Sequence, residues 1–235
     1  MSIVTTDPCH DLTSLELLQG LSPEAFEEAR AAARIRQLPR NMRVFNQGDT
    51  DVRAHALLQG SIRISQSGSD GAQVVVRFIT GGEMFGTVAL FTDHCYPADA
   101  ETLSDSVEVS WSEASLATLM SRHSAVAINF ICIIGRRLQE AQERMRELAT
   151  QRVEQRIAQT LLRLSRRAGR ATADGTTIEL PLRRKDIADI CGTTLHSASR
   201  ILTPWEKAGW LRTRDQHLTI REMAKLRRIA EAPGD

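Results

Sequence analysis

The side chains best placed to meet a partner by hydrogen bonding stand on one stretch, Arg183 to Thr203. Leu195, His196, Ser199 and Arg200 recur at helical spacing there. Groups of these types can meet the edges of base pairs, and a guanidinium can bond O6 and N7 of one guanine at once. To present them, the chain needs two short helices around a tight turn. Ile187, Ala188 and Cys191 give the first helix an apolar face, with small Ala188 allowing a close crossing. Gly192 follows, where a turn with φ > 0 favours a residue without a Cβ. Thr193 and Thr194 can cap the second helix. Its Ala198, Ile201 and Leu202 then face inward. This is the layout of a helix-turn-helix whose second helix enters the major groove. An ordinary helical hairpin with a charged solvent face is the plainer reading of the same pattern.

The next stretch, Trp210 to Ile220, reads as two short strands around a polar turn, which makes the motif a winged variant. Charge agrees. Residues 150–235 hold 17 Lys and Arg against 10 Asp and Glu, whereas residues 1–149 hold 13 against 19. The formal net charge of +1 therefore hides a basic end at +7 and an acidic body at −6. A basic domain is what phosphate contact requires.

A chain of 235 residues fits two domains, and 42% hydrophobic content suffices for real cores. An aromatic share of 4% argues against a single-strand binder that stacks bases. The N-terminus carries no basic region followed by an apolar core, so no signal peptide is expected. The longest apolar run, around Ala125 to Ile134, is far short of the roughly 20 residues a membrane span needs. A cytoplasmic protein without a membrane partner is expected. Cys9, Cys95, Cys132 and Cys191 are widely spaced with no Cys-x-x-Cys pair, which disfavours structural zinc and a clustered iron–sulfur site, and no metal-ligating residues are assigned. Cys132 and Cys191 read as small core residues.

Leu12 to Ala33 reads as helical, broken at Gly20 and restarted at Ser22-Pro23-Glu24. From Arg34 to Trp111 short period-two runs alternate with glycines, the pattern of a β-sandwich or rolled barrel. Trp111-Ser112-Glu113 closes that domain and opens a short helix. From about Val126 to Leu148, apolar or small residues fall at Ile131, Ile134, Leu138, Ala141, Met145 and Leu148, a heptad seam. The seam predicts a parallel two-helix dimer; an amphipathic helix lying on its own β-domain is the alternative. Ala149-Thr150 is the expected hinge. Gln151 to Arg167 reads as a further amphipathic helix, Gly169 to Thr177 as a polar loop and Ile178 to Leu180 as a short strand. The fold class is α+β. Residues 1–123 form a jelly-roll-like β-roll with N-terminal helices, 124–149 a dimerisation helix, and 150–235 a winged helix-turn-helix domain.

This plan resembles the CRP/FNR superfamily of bacterial transcription regulators over essentially the whole chain. The residues that carry the likeness are Gly81-Gly-Glu-Met-Phe-Gly86, Gly135-Arg-Arg-Leu-Gln139, Arg156-Ile-Ala-Gln-Thr-Leu-Leu162, and Asp186-Ile-Ala through Ser199-Arg-Ile-Leu202. The resemblance places His196, Ser199 and Arg200 on the base-contacting positions. It places Arg184, Lys185, Thr193, Thr194 and Ser197 on positions that hold phosphates, which fix register without reading sequence. His196 departs from the glutamate of many relatives. The implied target is duplex DNA with TTG and CAA arms about one helical turn apart, read by a homodimer. RNA polymerase is an implied partner.

The same likeness argues against cyclic AMP. Thr87 replaces the ribose-binding glutamate, Pro97-Ala98 the phosphate-binding Arg-Ser pair, and Ala141-Gln142 the adenine-binding Thr-Ser pair. A phosphate without a cation loses its strong charge-assisted bonds. The cysteine cluster of the oxygen-sensing branch is reduced to Cys9. Tyr96-Pro97-Ala98 and Gly192-Thr-Thr-Leu-His196 are similar to the nitrogen-oxide-responsive NnrR and DNR branch, which implies a response to nitric oxide, with haem as the candidate cofactor. His10, His55, His94 and His123 are the candidate axial ligands. His94, Cys95, Tyr96 and Pro97 form the candidate effector segment, with a plain surface loop as the alternative. Two other classes remain. A regulator without an effector would fill its ligand pocket with its own side chains. A cupin-type metalloenzyme would need a His-x-His pair, and none occurs; with no hydrolase or nucleotide-binding motif either, an enzyme is not expected.

Overall fold

The computed structural model describes residues 11–71 and 73–232. They form two compact units that divide within one long helix, at Gln139/Glu140, the second unit also taking in Gln73–Val75.

The first unit opens with two single 3-10 turns, Leu12–Ser14 and Glu16–Leu18, in place of the expected longer helix. Leu12, Leu15, Leu17 and Leu18 are all buried. On a regular α-helix these four would point in several directions, so only an irregular path buries them together. Helix α1 (Pro23–Ala31) starts as its sequence predicts, with Ser22 Oγ accepting from the Ala25 amide at 3.2 Å. Eight strands follow: β1 (Arg34–Leu38), β2 (Arg43–Phe45), β3 (Arg53–Gln59), β4 (Ser61–Ser67), β5 (Gln73–Thr80), β6 (Met84–Phe85), β7 (Asp99–Thr102) and β8 (Ser106–Ser112). They make two four-stranded sheets, in the orders β1-β8-β3-β6 and β2-β7-β4-β5. Strands β6 and β7 escape the sequence pattern. The polar run Asp-Ala-Glu-Thr of β7 has low strand propensity. It holds because Ala100 and Thr102 point inward while Asp99 and Glu101 pair with Arg43 and Arg63 of the flanking strands at 2.6 and 2.7 Å.

Both sheets contribute to the interior of the roll, where Phe45, Leu57, Ile62, Ile79, Phe85, Tyr96 and Ala100 form one apolar cluster. A second cluster joins the outer face of β8 to the helices. Trp111 is fully buried in it, with its Nε1 donating to the Ala29 carbonyl at 2.8 Å. Ser112 caps α2 (Glu113–Arg122), and the long helix α3 (Ser124–Thr150) follows. Val126, Phe130 and Ile133 bury one face of α3 in this cluster. The seam residues lie on another face. Ile131 is 67% exposed, Ile134 37%, Leu138 59%, Met145 66% and Leu148 47%, and Ala141 is exposed as well. Cys132 is also exposed and is not the core residue that its apolar neighbours suggest. One residue is a 100° step on a helix, so Cys132 points away from both Ile131 and Ile133.

In the second unit α3 ends at a break, Gln151–Arg152, slightly beyond the expected hinge, and α4 (Val153–Ala168) begins. Its Ile157, Ala158, Leu161 and Leu164 are buried. The stretch expected to be a polar loop is a hairpin of β9 (Gly169–Thr172) and β10 (Gly175–Ile178), and the expected strand ends at Ile178 rather than Leu180. Ala173-Asp174 before Gly175 forms the two-residue turn, a hairpin signal that the neighbouring threonines and glycine disguise as loop composition. Then come α5 (Arg184–Ile190), α6 (Leu195–Lys207), β11 (Leu211–Arg214), β12 (His217–Ile220) and α7 (Met223–Ala230). The four strands make one sheet in the order β11-β12-β10-β9.

Candidate nucleic-acid interface

Helices α5 and α6 are joined by Cys191 to Thr194. Gly192 has φ +60, and a Cβ built on it would lie 2.7 Å from Cδ2 of Leu148. The backbone conformation therefore favours glycine, while the flexible end of Leu148 would have to shift for a larger residue. The turn closes with the Thr193 amide on the Ala188 carbonyl at 3.0 Å. Thr194 caps α6, its Oγ1 accepting from the Ser197 amide at 3.1 Å. Ala198 and Leu202 are buried against the unit, which turns Leu195, His196 and Arg200 outward and leaves Ser199 partly exposed. Among the described residues, neither the His196 nor the Arg200 side chain makes a hydrogen bond or an ion pair. Both are uncommitted donors on the face of a helix, beside a leucine able to meet a thymine methyl.

The expected phosphate contacts divide into two kinds. Thr193, Thr194 and Ser197 stand at the amino end of α6, where the first-turn amides and the helix dipole favour an anion. Arg184 and Lys185 are engaged within the unit. Arg184 Nη1 donates to Thr203 Oγ1 at 2.8 Å and its Nη2 to the Glu206 carboxylate, while Lys185 pairs with Asp189. Arg184 thus clamps α5 onto α6, and both cations would meet a phosphate with part of their charge already shared with a carboxylate.

Three further residues position the motif, a role that their sequence patterns do not announce. Asp186 is buried and accepts from the Arg183 amide at 2.9 Å and from two Arg183 guanidinium nitrogens at 3.0 Å each, fixing the start of α5. An acid three residues into a helix is the signal that could have found it. Arg156 of α4 donates to three main-chain carbonyls: Gln151 at 2.7 Å, Cys191 at 2.9 Å and Gly192 at 3.3 Å. Arg144 of α3 donates to the carbonyl of Ile190. Two guanidinium groups thus neutralise the carboxyl end of α5 and hold the turn, a favourable site for cations. Burial pushes the Cys191 thiol up from its ordinary value, against a hydrogen bond to Thr160 that lowers it. The residue is a buried filler, as its pattern implies. Replacing Arg156 with alanine is expected to weaken operator binding about tenfold and lower the melting temperature of the second unit. Lysine should not rescue it, because one ammonium group cannot span three carbonyls. Fluorescence anisotropy with a thermal melt checks both effects.

In the first unit the four residues of the candidate effector segment do not converge. His94 and Pro97 are exposed, Cys95 is half-buried, and Tyr96 alone turns into the roll. Tyr96 stacks on Phe45 with centroids 3.8 Å apart and planes 7° from parallel. Its hydroxyl accepts from the Arg53 amide at 2.8 Å and lies 2.8 Å from His55 Nε2. Burial, more than any neighbour, pushes its pKa up to about 12. His55 Nδ1 faces the Glu108 carboxylate, which also takes Arg36 Nε at 2.6 Å. Burial acts to raise the Glu108 pKa, but bonds and charge from His55 and then Arg36 outweigh it and hold it below the usual carboxylate value. The carboxylate can only accept, so Nδ1 donates to it, and the Tyr96 hydroxyl also donates to the Arg53 carbonyl at 3.2 Å. Gly86 lies against this group, where a Cβ would be 2.8 Å from His55 and 3.1 Å from Phe45 and Tyr96.

Of the candidate haem ligands, His55 thus has both nitrogens engaged, and His123 Nε2 lies 2.6 Å from Glu28. Exposed His94 lies 3.4 Å from Glu113. His10 and Cys9 fall outside the described residues. Thr87 and Ala98, at two of the cyclic-nucleotide positions, are buried and bring no cation.

Residues 155–229 match the Crp-like helix-turn-helix domain family, and residues 35–123 match the Cyclic nucleotide-binding domain family. The nitrogen fixation regulation protein FixK of Rhizobium meliloti is 30% identical over 173 residues, which cover 73% of this chain and 75% of that protein. The chain belongs to the CRP/FNR family of transcription regulators. Another CRP/FNR relative, the CRP-like cAMP-activated global transcriptional regulator of Mycobacterium tuberculosis, is 22% identical over 214 residues, 91% of this chain and 96% of that one. Among CRP/FNR structures, FixK2 from Bradyrhizobium japonicum shares the fold with a TM-score of 0.75 at 23% identity, over 86% of this chain and 99% of that one. The Thermus thermophilus catabolite activator protein superimposes with a TM-score of 0.53 at 26% identity, over 92% and 98%. As in the rest of the CRP/FNR family, the chain is a DNA-binding regulator and not an enzyme.

Proposed function

We propose that two copies of the chain, joined along Ile131, Ile134, Leu138, Ala141, Met145 and Leu148, read a TTG…CAA palindrome with His196, Ser199 and Arg200. The observation that supports this most strongly is the uncommitted outer face of α6, where His196 and Arg200 stand exposed and unpaired above a rigidly held turn. Arg200 supplies the guanine contact and Leu195 a surface for a thymine methyl. Thr193, Thr194 and Ser197 take phosphates directly, Arg184 and Lys185 with their charge shared with a carboxylate. On the bound duplex the regulator would meet RNA polymerase.

The sensor reading that the geometry favours is a roll filled by its own chain. Phe45, His55, Phe85 and Tyr96 occupy the interior, with the His55 ring bonded to Glu108 and Tyr96 and the Tyr96 hydroxyl to the Arg53 main chain. On this reading neither cyclic AMP nor another small effector is needed for DNA binding, and the amount of dimer controls activity. A nitric oxide response, carried by the likeness around Tyr96-Pro97-Ala98, is the alternative. With haem as its carrier it would draw on His94, whose side chain is exposed.

Selection from a random duplex library, with protein to which no effector has been added, tests the proposal. A two-fold symmetric site with TTG and CAA arms is the expected result. An asymmetric site would defeat the dimer reading. Recovery of a site only after haem and nitric oxide are supplied would defeat the self-filled sensor.

A further inference from the structure

Besides Val76 on β5, the first unit exposes large apolar side chains off the seam on α3 and on the turn packed against it. Phe91, in the 3-10 turn Val88–Phe91, is 62% exposed, and Ile128 of α3 is 58% exposed. Val88, in the same turn, is 53% exposed. A large apolar group left in water has a cost that burial would remove. The heptad phase of the seam locates them. With Ile131 at a and Ile134 at d, Phe130 falls at g and Ile128 at e, on opposite flanks. Phe91 packs on Phe130, ring centroids 5.2 Å apart, and so sits on the g flank. The next e position is Gly135, which has no heavy atom within 4 Å of where its Cβ would be.

In a parallel pair of helices related by a two-fold axis, the g flank of one copy faces the e flank of the other. We propose that Phe91, with Val88 beside it, docks on the second copy, against Ile128 of the partner subunit and over the open surface left by Gly135 of the partner subunit. By symmetry the contact occurs twice. This inference rests on the dimer reading above and widens that interface from a helix seam to one that the β-roll shares. It accounts for both exposed flanks with one operation, and the patch is continuous with the seam through Phe130 and Ile131.

Sedimentation velocity of the full chain tests it with Phe91→Glu, Ile128→Lys and the two combined. Each single change should raise the dimer dissociation constant by about tenfold or more. The combination should recover most of the loss, because it sets Glu opposite Lys across the axis. Far-UV circular dichroism and a melt confirm folding, and Phe91→Ser replaces Phe91→Glu if that variant fails to fold. Unchanged dimers in both single variants, or two losses that simply add, overturn the proposal. The seam is tested separately by Leu138→Lys. If that change separates the copies while Phe91→Glu does not, the seam stands and the flank contact falls. If neither separates them, the copies pair through another face, and both the seam and the flank contact fall.

Discussion

Changing Arg200 to alanine is expected to abolish specific operator binding while the fold survives. A bidentate arginine–guanine contact discriminates by about 1–3 kcal/mol. Two half-sites double this to about 2–6 kcal/mol, or roughly 30-fold to 10⁴-fold in affinity. The phosphate contacts are untouched, so non-specific binding and its salt dependence should persist. Specific and non-specific binding should therefore converge in the variant. Arg200 is exposed and its side chain has no hydrogen-bond or ion-pair partner among the described residues, so the melting temperature should move little. Competition binding with cognate and scrambled duplexes checks this. Equal discrimination by wild type and variant in well-folded samples would remove the base-reading role from α6.

Changing Leu138 to lysine is the second large effect. Leu138 lies mid-seam and is 59% exposed on one chain, so the substitution should leave the folded protomer intact. In a dimer the same position would bring two unpaired ammonium groups together in an apolar seam. An uncompensated buried charge costs about 3–5 kcal/mol. The dimer dissociation constant should rise by about 10²- to 10³-fold or more. Operator binding should fall with it, because a single copy holds only one half-site. Sedimentation velocity and anisotropy on one preparation measure the two together. Loss of DNA binding with an intact dimer would separate them and place the seam elsewhere.

The elements that carry these effects were legible because each announces itself locally. Gly192 marks its turn through a backbone angle, and the 3,4,3,4,3 spacing of the seam marks its face through helix geometry. Contacts between distant residues were not legible. Tyr96 stands with His94 in the candidate effector segment, but adjacency in sequence does not show which side chains share a space. The roll separates them, turning Tyr96 inward toward His55 and leaving His94 outside. Nothing around His55 announces its pairing with Glu108, 53 positions later. Arg156 is similar: its motif marked a family, but its work is on carbonyls 35 and 36 residues away. Strand β7 stayed hidden because its stability comes from Arg43 and Arg63 on neighbouring strands and not from its own composition.

The aromatic filling of the roll also sets how such a regulator can be controlled. A metabolite changes an equilibrium only by favouring one of two populations, occupied or vacant. Where the occupant is a tyrosine joined to the wall by its own main chain, every molecule carries it at the same level and dilution cannot remove it. On the proposed self-filled reading, information would arrive as the number of molecules made and destroyed, and the response time would be that of synthesis and turnover.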